Sequence, residues 1–435
     1  MAQADLSSPP TPPAVPSLVR ALGRWDLTAI GVNQVIGGSV FLVPATLAAS
    51  LGGGWSWIAF LVAGVLSLLI GLCFAEAASR FQGTGGSYLH TQQAFGRFAG
   101  FEVGWMMWVT RVTAWASVIN GLADALGYYW PGLRAGPLRL LVIAGVIVAI
   151  TALNVRGIRQ STWVVNALTI GKLIPLVLFM VVGLPHISFG ALAPAAPLAW
   201  SQVGASALIL IFAYGGYEVV PVPAGEAKDP VRAMPFAMVG TILISGVVMI
   251  AVQMVSVGTF PGLAASKTPL ADAAALFIGA GGAFLLTAGA AVSMSGNNVG
   301  QSLSGSRNLF ALAEQGDLPR WFGHVHPRFR TPDFAILFTS ALSLALALSG
   351  SFAVLARVSA VSRLVVYAGT CAAVLALRRS GPAPFTIPFG PVVPVAALAV
   401  AIGIVFGASD AQRWAGLIAL EVGAFLYFMA RRGSK

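Results

Sequence analysis

Four ionisable side chains interrupt long apolar stretches of this sequence: Arg111, Lys172, Glu218 and Arg363. A lysine at the centre of a membrane-spanning helix costs about 2.5 to 3.5 kcal/mol, so such a residue is expected to have a function. Burial also disfavours the charged form of an amine. Lys172 therefore has two possible roles, as a group that takes up and releases a proton or as a fixed cation that braces its surroundings.

Arg111 raises a different question, because a guanidinium keeps its charge and needs an acidic partner or a wet cavity. Glu102, Asp124 and Glu218 are the acids that could neutralise it. If Arg111 faces a binding pocket instead, it would favour a ligand with a second carboxylate. Arg363 presents the same two alternatives.

Two pairs of adjacent glycines, Gly37-Gly38 and Gly215-Gly216, fall near the middle of apolar runs. Glycine costs about 1 kcal/mol relative to alanine inside a helix, but it lets the helix unwind and a ligand approach the backbone. Freed amides at such a break attract a carboxylate, and freed carbonyls accept hydrogen bonds from an ammonium group. The glycines therefore indicate either a binding site for a small zwitterion or close helix packing.

A polar face at Asn297, Asn298 and Gln301 adds a third candidate contact. These side chains could touch a ligand or form hydrogen bonds between helices. No metal-binding cluster, cofactor motif or catalytic set accompanies them. We therefore expect no catalytic residue, no metal and no cofactor.

The elements that position these residues are membrane helices. The 435 residues are 57% hydrophobic and 9% charged, with a mean hydropathy of +0.85, whereas a soluble domain carries about 25% charged residues. Stretches of roughly 20 apolar residues span a bilayer. Twelve such spans are predicted, at 27–49, 55–79, 96–127, 138–155, 162–184, 201–222, 233–258, 273–311, 333–350, 352–377, 389–408 and 412–430.

The basic residues alternate between the two sides of these spans. Most Lys and Arg residues fall in the loops on the side of the N-terminus, while Arg134, Arg139, Lys267 and Arg413 fall on the other side. Because basic loops stay in the cytoplasm, both termini are predicted to be cytoplasmic, in a multi-pass protein of the cell membrane. The net charge of +11 is dispersed, so a lipid bilayer and not a nucleic acid is the expected partner.

Four short segments carry motifs. Residues 36–45 read IGGSVFLVPA, residues 85–88 read GGSY, and residues 216–218 and 225–235 read GYE and GEAKDPVRAMP. Together they resemble the amino acid, polyamine and organocation transporter superfamily, of the bacterial amino acid permease type. The resemblance extends over nearly the whole chain.

That resemblance implies an all-α membrane protein of twelve transmembrane helices with the 5+5 inverted repeat of the bacterial leucine transporter, in which helices 1 and 6 are discontinuous. The glycine pairs agree, since broken helices at matching positions mark such repeats. The expected organisation is a disordered tail at 1–26 and a transport core at 27–377, with repeats at 27–184 and 201–377. Two further helices and a short C-terminus follow at 378–435.

The resemblance also implies roles for residues at both breaks. The amides of Gly38 and Ser39, or the Ser39 hydroxyl, would receive a substrate carboxylate. Phe212 would be an aromatic gate, and Lys172 would stand where sodium-coupled relatives bind sodium. The carbonyls of Val35, Phe212 and Gly215 would accept the substrate ammonium, and Tyr214 or Tyr217 would line its side-chain pocket. The complete expected binding set is Val35, Ile36, Gly37, Gly38, Ser39, Phe212, Ala213, Tyr214, Gly215, Tyr217 and Asn297.

The expected function is secondary active transport of an amino acid or related amine by alternating access, with proton coupling through Lys172. A proton-independent amino acid or polyamine exchanger is the alternative. A channel would need rings of charge or a repeated carbonyl filter, and the chain offers neither. The expected partners are the substrate, a proton and lipid, in a monomer or homodimer.

Overall fold

The computed structural model describes residues 22–81, 86–156, 162–222, 224, 227–329 and 331–432. Most of the expected N-terminal tail, together with Gly85, Gly225 and Glu226 of the motifs, lies outside these ranges. The described residues form α-helices and short 3-10 turns without a β-strand, apart from one isolated bridge between Leu22 and Ala227.

Fifteen α-helices are present in the described residues. They are α1 (Arg24–Val35), α2 (Ser39–Leu51), α3 (Gly53–Ser79), α4 (Ser87–Phe95), α5 (Arg97–Leu126), α6 (Pro137–Arg156), α7 (Thr162–Gly183), α8 (Trp200–Tyr214), α9 (Pro230–Thr259), α10 (Pro269–Phe277), α11 (Ala280–Glu314), α12 (Asp333–Ser349), α13 (Phe352–Leu377), α14 (Val392–Phe406) and α15 (Asp410–Arg432).

Many of these helices are suited to a bilayer. Six are long and apolar enough to cross a membrane, and the bent pair α1 and α2 makes a seventh. Three shorter apolar helices accompany them, within α8, α12 and α14. Large apolar side chains such as Leu141, Val181, Val247 and Phe425 are exposed on the outer faces. Such exposure is expected where lipid is the solvent.

The prediction of one continuous helix at 273–311 is wrong near its start, where the structure has two helices. The structure ends α10 at Phe277 and begins α11 at Ala280. Gly279 between them has φ +82°, a conformation that glycine adopts without steric cost. A hydropathy pattern does not reveal this break, because both helices are apolar.

The first helix begins slightly earlier than the predicted span. The amide of Gly23 donates to the Asp26 carboxylate at 2.9 Å, so α1 is capped at its start. Residues 24–26, assigned to the tail from the sequence, therefore belong to α1.

The interior of the bundle is built around α5. This helix makes its most extensive contacts with α11 and α13, and α3 packs along α9. The indole rings of Trp108 and Trp115 on α5 are completely buried. Because α5 packs against both α11 and α13, polar groups on these three helices can meet inside the bundle.

Candidate functional site

The first helical break separates α1 from α2, whose axes differ in direction by 45°. The Gly37 amide donates to the Val35 carbonyl at 2.8 Å, and the helix resumes at Ser39. The amides of Gly38 and Ser39 donate to no described residue. They are free donors at the N-terminus of a helix, where the peptide dipoles favour a negative charge.

The second break follows α8. Gly215 is extended, with φ −66° and ψ 145°, and Gly216 has φ +135°, which other residues rarely adopt. A Cβ on Gly216 would lie 2.7 Å from the backbone of Gln34 and Val35. The two breaks therefore touch, and glycine is needed at this crossing for both conformation and space.

A hydrogen bond also joins the two breaks. The Ser39 hydroxyl donates to the Ala213 carbonyl at 3.3 Å. Since the hydroxyl is engaged in this way, the amide of Ser39 is the group left free for a ligand.

A cavity lies where the breaks meet. Its volume is about 20 Å³. One water needs about 10 to 15 Å³ of the same kind of volume. It is lined by Gln34, Val35, Gly37, Gly38, Ser39, Ala114, Val118, Phe212, Gly215, Asn297, Gln301 and Arg363.

Four of the expected binding residues lie outside this lining: Ile36, Ala213, Tyr214 and Tyr217. The Tyr214 hydroxyl donates to the Phe60 carbonyl at 2.9 Å, so it points toward α3. Tyr217 is fully buried and stacks on Tyr367 at 5.4 Å. Positions two apart on a helix point about 200° away from each other, so Phe212 and Tyr214 cannot face the same cavity.

Lys172 holds the first break from the opposite side. Its ammonium donates to the carbonyls of Asn33 and Ile36, each at 2.9 Å, and its side chain is completely buried. These two carbonyls belong to the end of α1, where the helix can no longer satisfy them. The lysine therefore ties α7 to the break.

Polar side chains of α11 hold the same segment. Ser293 donates to the Ile36 and Gly37 carbonyls, both at 3.2 Å, and Asn297 donates to the Gln34 carbonyl at 3.2 Å. Asn297 also lines the cavity. The polar face of α11 thus both binds a neighbouring helix and borders the cavity.

A buried charge cluster adjoins the cavity. One oxygen of Glu218 lies 3.3 Å from a nitrogen of Arg111 and 3.4 Å from a nitrogen of Arg363. Its other oxygen accepts hydrogen bonds from the Gly216 amide at 2.7 Å and the Tyr367 hydroxyl at 3.3 Å. Among the acids considered from the sequence, Glu218 is the partner of Arg111, while Asp124 is not.

Comparison with known proteins agrees with this architecture. The model of a family described as amino acid permease matches residues 22–422. The chain belongs to the amino acid permease family. This confirms the resemblance inferred from the motifs, and it makes the chain a multi-pass membrane transporter and not an enzyme.

Three bacterial relatives of this permease are similar over most of their length, all from Bacillus subtilis. The methylthioribose transporter is 28% identical, over 96% of this chain and 94% of that protein. The serine/threonine exchanger SteT is 31% identical, over 88% and 89%. The branched-chain amino acid permease BcaP is 27% identical, over 96% and 95%.

A larger vestibule opens at one end of the permease. It has a volume of about 600 Å³ and is bordered by polar residues that include Asn120, Asp124 and Arg139. Phe352 lines the vestibule, and Phe212 lines the small cavity. Their rings meet edge to face with centroids 5.8 Å apart. This aromatic pair therefore stands between the vestibule and the cavity.

Some lining residues of the permease were not found by sequence reasoning. Ala114 and Val118 of α5 reach the cavity, yet small apolar residues in an apolar helix carry no distinguishing signal. Gln34 also lines it. Its position could have identified it, because Gln34 is a polar residue only three positions before the Gly37-Gly38 pair.

Proposed function

We propose that this permease carries an amino acid across the cell membrane by alternating access, with the substrate bound as a zwitterion between the two breaks. The observation that carries the proposal is the free amides of Gly38 and Ser39 beside the cavity that Gly215 also lines. Two of the relatives are named for amino acids, serine or threonine and branched-chain amino acids.

Each end of the substrate then has a complementary group. The carboxylate receives hydrogen bonds from the Gly38 and Ser39 amides. The Gly215 carbonyl, which accepts no hydrogen bond from the described residues, accepts one from the ammonium. The carbonyls of Val35 and Phe212 already accept the amides of nearby residues, but each oxygen keeps a second lone pair.

The size of the cavity supports alternating access. A volume of about 20 Å³ holds about one water, so an amino acid enters only when the surrounding helices move apart. Separation of Phe212 from Phe352 opens the cavity to the vestibule, which makes Phe212 the gate. A movement on the other side then releases the substrate.

The proposed topology has twelve spans. The pair α1 and α2 is the first, α8 with its following turn is the sixth, and α4 and α10 do not cross. The inverted repeats are α1 to α7 and α8 to α13, and both termini are cytoplasmic. Supporting this arrangement, each repeat begins with a broken helix.

Proton coupling through Lys172 completes the proposed mechanism. A charged ammonium has three donors and a neutral amine has two, so both bonds from Lys172 to the carbonyls can survive loss of the proton. Its head group also forms no ion pair with a described carboxylate, so no acid fixes its charge. The second candidate is proton-independent exchange with Lys172 as a brace, favoured by the same two bonds and by the relative named as an exchanger.

Gly38→Leu tests the binding site. The atoms nearest to a Cβ at Gly38 belong to Met294, at 3.4 Å or more, so the backbone tolerates a side chain while the longer leucine fills the cavity. We expect the variant to insert normally and to lose amino acid binding and saturable counterflow in proteoliposomes. Gly145→Leu is the matched control, because a Cβ there meets no atom within 4 Å. Unchanged counterflow in Gly38→Leu would refute the site.

A further inference from the structure

Arg363 is a buried cation with donors that remain unused. Its side chain is only 3% exposed, and its Nε and Nη1 atoms make no hydrogen bond in the described part of the chain. Nη1 lies 3.4 Å from Glu218, longer than the 2.7 to 2.9 Å typical of a charge-assisted hydrogen bond. Glu218 therefore satisfies Arg363 incompletely.

The guanidinium of Arg363 lies in the wall of the substrate cavity. It borders that cavity together with Gly38 and Ser39. A Cβ added to Gly215 would overlap the guanidinium, so the group rests directly on the backbone of the second break. The unused donors are thus placed beside the site proposed for the substrate.

The charges of the cluster do not balance. Arg111 and Arg363 contribute two positive charges against the single carboxylate of Glu218. Net charge inside a membrane protein is costly and usually finds a partner. A neutral amino acid brings its own ammonium with its carboxylate and leaves the excess uncompensated, whereas a second acidic group on the substrate would cancel it.

The vestibule also carries an excess of positive charge. Arg134, Arg139 and Lys267 line it, against Asp124, which pairs with Arg139 at 2.6 Å. Asp272 does not line the vestibule, but it accepts hydrogen bonds from the lining residue Ser266 and from Thr268. Positive charge along an access path concentrates anions near its end.

We infer that the substrate is an acidic amino acid with a net charge of −1, whose second acidic group is bound by Arg363. This rests on the proposed function and narrows its substrate class. The Gly38 and Ser39 amides keep the α-carboxylate, and Arg111 stays with Glu218.

Matched ligands test the inference on the purified full-length protein. Calorimetric titration compares L-glutamate with L-glutamine and L-aspartate with L-asparagine, because each pair differs in charge and hardly in shape. We expect each acid to bind at least about tenfold more tightly than its amide. L-Serine and L-leucine are titrated alongside.

The outcomes separate the inference from the proposed function. Binding of the amides, serine or leucine as tight as that of the acids overturns the inference and leaves amino acid transport intact. If none of the six amino acids binds, the inference fails, and the proposed function fails as well if none of the other common amino acids binds.

Arg363→Gln assigns the preference to its residue. The variant leaves Arg111 and Glu218 as a balanced pair, so we expect it to fold and to lose about tenfold or more in affinity for the acid, with little change for the amide. Arg357→Gln is the matched control, since Arg357 is a half-buried arginine of the same helix that does not line the cavity.

An equal loss for acid and amide in Arg363→Gln would assign Arg363 to the α-carboxylate or to structure, and would overturn the inference. Arg363→Lys keeps the charge and is expected to retain part of the preference for the acid. If Arg363→Gln does not unfold cooperatively, it is not a folded protein, and the inference is then judged by comparing the preference for acid over amide in Arg363→Lys with that of the unsubstituted protein.

Discussion

At the scale of single residues, the buried cations differ in how their charge is held. Arg111 shares Glu218 with Arg363, whereas Lys172 contacts only backbone carbonyls. A fixed ion pair resists a change of charge, because breaking a buried pair by losing one partner costs about 3 to 5 kcal/mol. Lys172 forms no such pair with a described carboxylate, which supports its proposed role as the proton site.

Lys172→Ala tests this role. The substitution leaves the Asn33 carbonyl without its donor, at a cost of about 1 to 3 kcal/mol for an unsatisfied buried group, while the Ile36 carbonyl keeps the hydrogen bond from Ser293. We expect a lower thermal unfolding midpoint and uptake that no longer responds to an imposed pH gradient in proteoliposomes. Lys228→Ala, at an exposed lysine, is the control.

Two results would count against proton coupling. A Lys172→Ala protein that still concentrates substrate under the pH gradient would exclude Lys172 as the proton site. Loss of counterflow together with the gradient response would favour the brace.

At the scale of elements, the site depends on helices that stop and restart. The break between α1 and α2 frees amides, and the break after α8 supplies the Gly215 carbonyl. Irregular backbone at membrane depth persists only where protein or a cavity surrounds it. Here Lys172 of α7 and Ser293 and Asn297 of α11 supply the missing bonds, so neighbouring helices stabilise the first break.

The proposed gate lies where two elements meet, at the end of α8 and the start of α13. Phe212→Ala removes the edge-to-face contact with Phe352, which is worth about 0.5 to 1.5 kcal/mol. We expect substrate affinity to fall about two- to tenfold, measured by radioligand binding. Phe310→Ala removes a partly buried ring of α11 that does not line the cavity, and it is the control. An equal effect of both substitutions would argue against the gate.

At the scale of the whole molecule, the bundle places different groups at its two ends. The vestibule with Arg134, Arg139 and Lys267 occupies one end. Residues near the expected cytoplasmic ends of the helices meet as ion pairs: Arg378 and Glu76 lie 2.5 Å apart, and Arg97 and Asp317 lie 2.7 Å apart. Residues expected on the same side are thus neighbours in space.

Cysteine labelling tests the proposed orientation. The native cysteines, Cys73 and Cys371, are buried, so their background reaction should be low. Ser351 and Ser380 are exposed at opposite ends of α13, which is about 39 Å long. We expect an impermeant maleimide to label Ser351→Cys in intact cells and Ser380→Cys only after permeabilisation. The reverse pattern would place both termini outside.

Much of the architecture could be read from the sequence, because hydropathy and helix-breaking cost are local properties. The glycine pairs marked both breaks, and Lys172 and Arg111 were conspicuous among apolar neighbours. A charged residue in such a stretch is costly wherever the helix packs, so its importance does not depend on knowing its partner.

The tertiary structure alone decided which groups meet. Arg111 pairs with Glu218, 107 positions away, Arg363 joins the cavity, and Tyr214 turns toward α3. A helix that is apolar on all sides carries no amphipathic pattern to show which face is inside. Rotation and register of packed helices are set by their neighbours, so the partners of each charge were not contained in any local stretch of sequence.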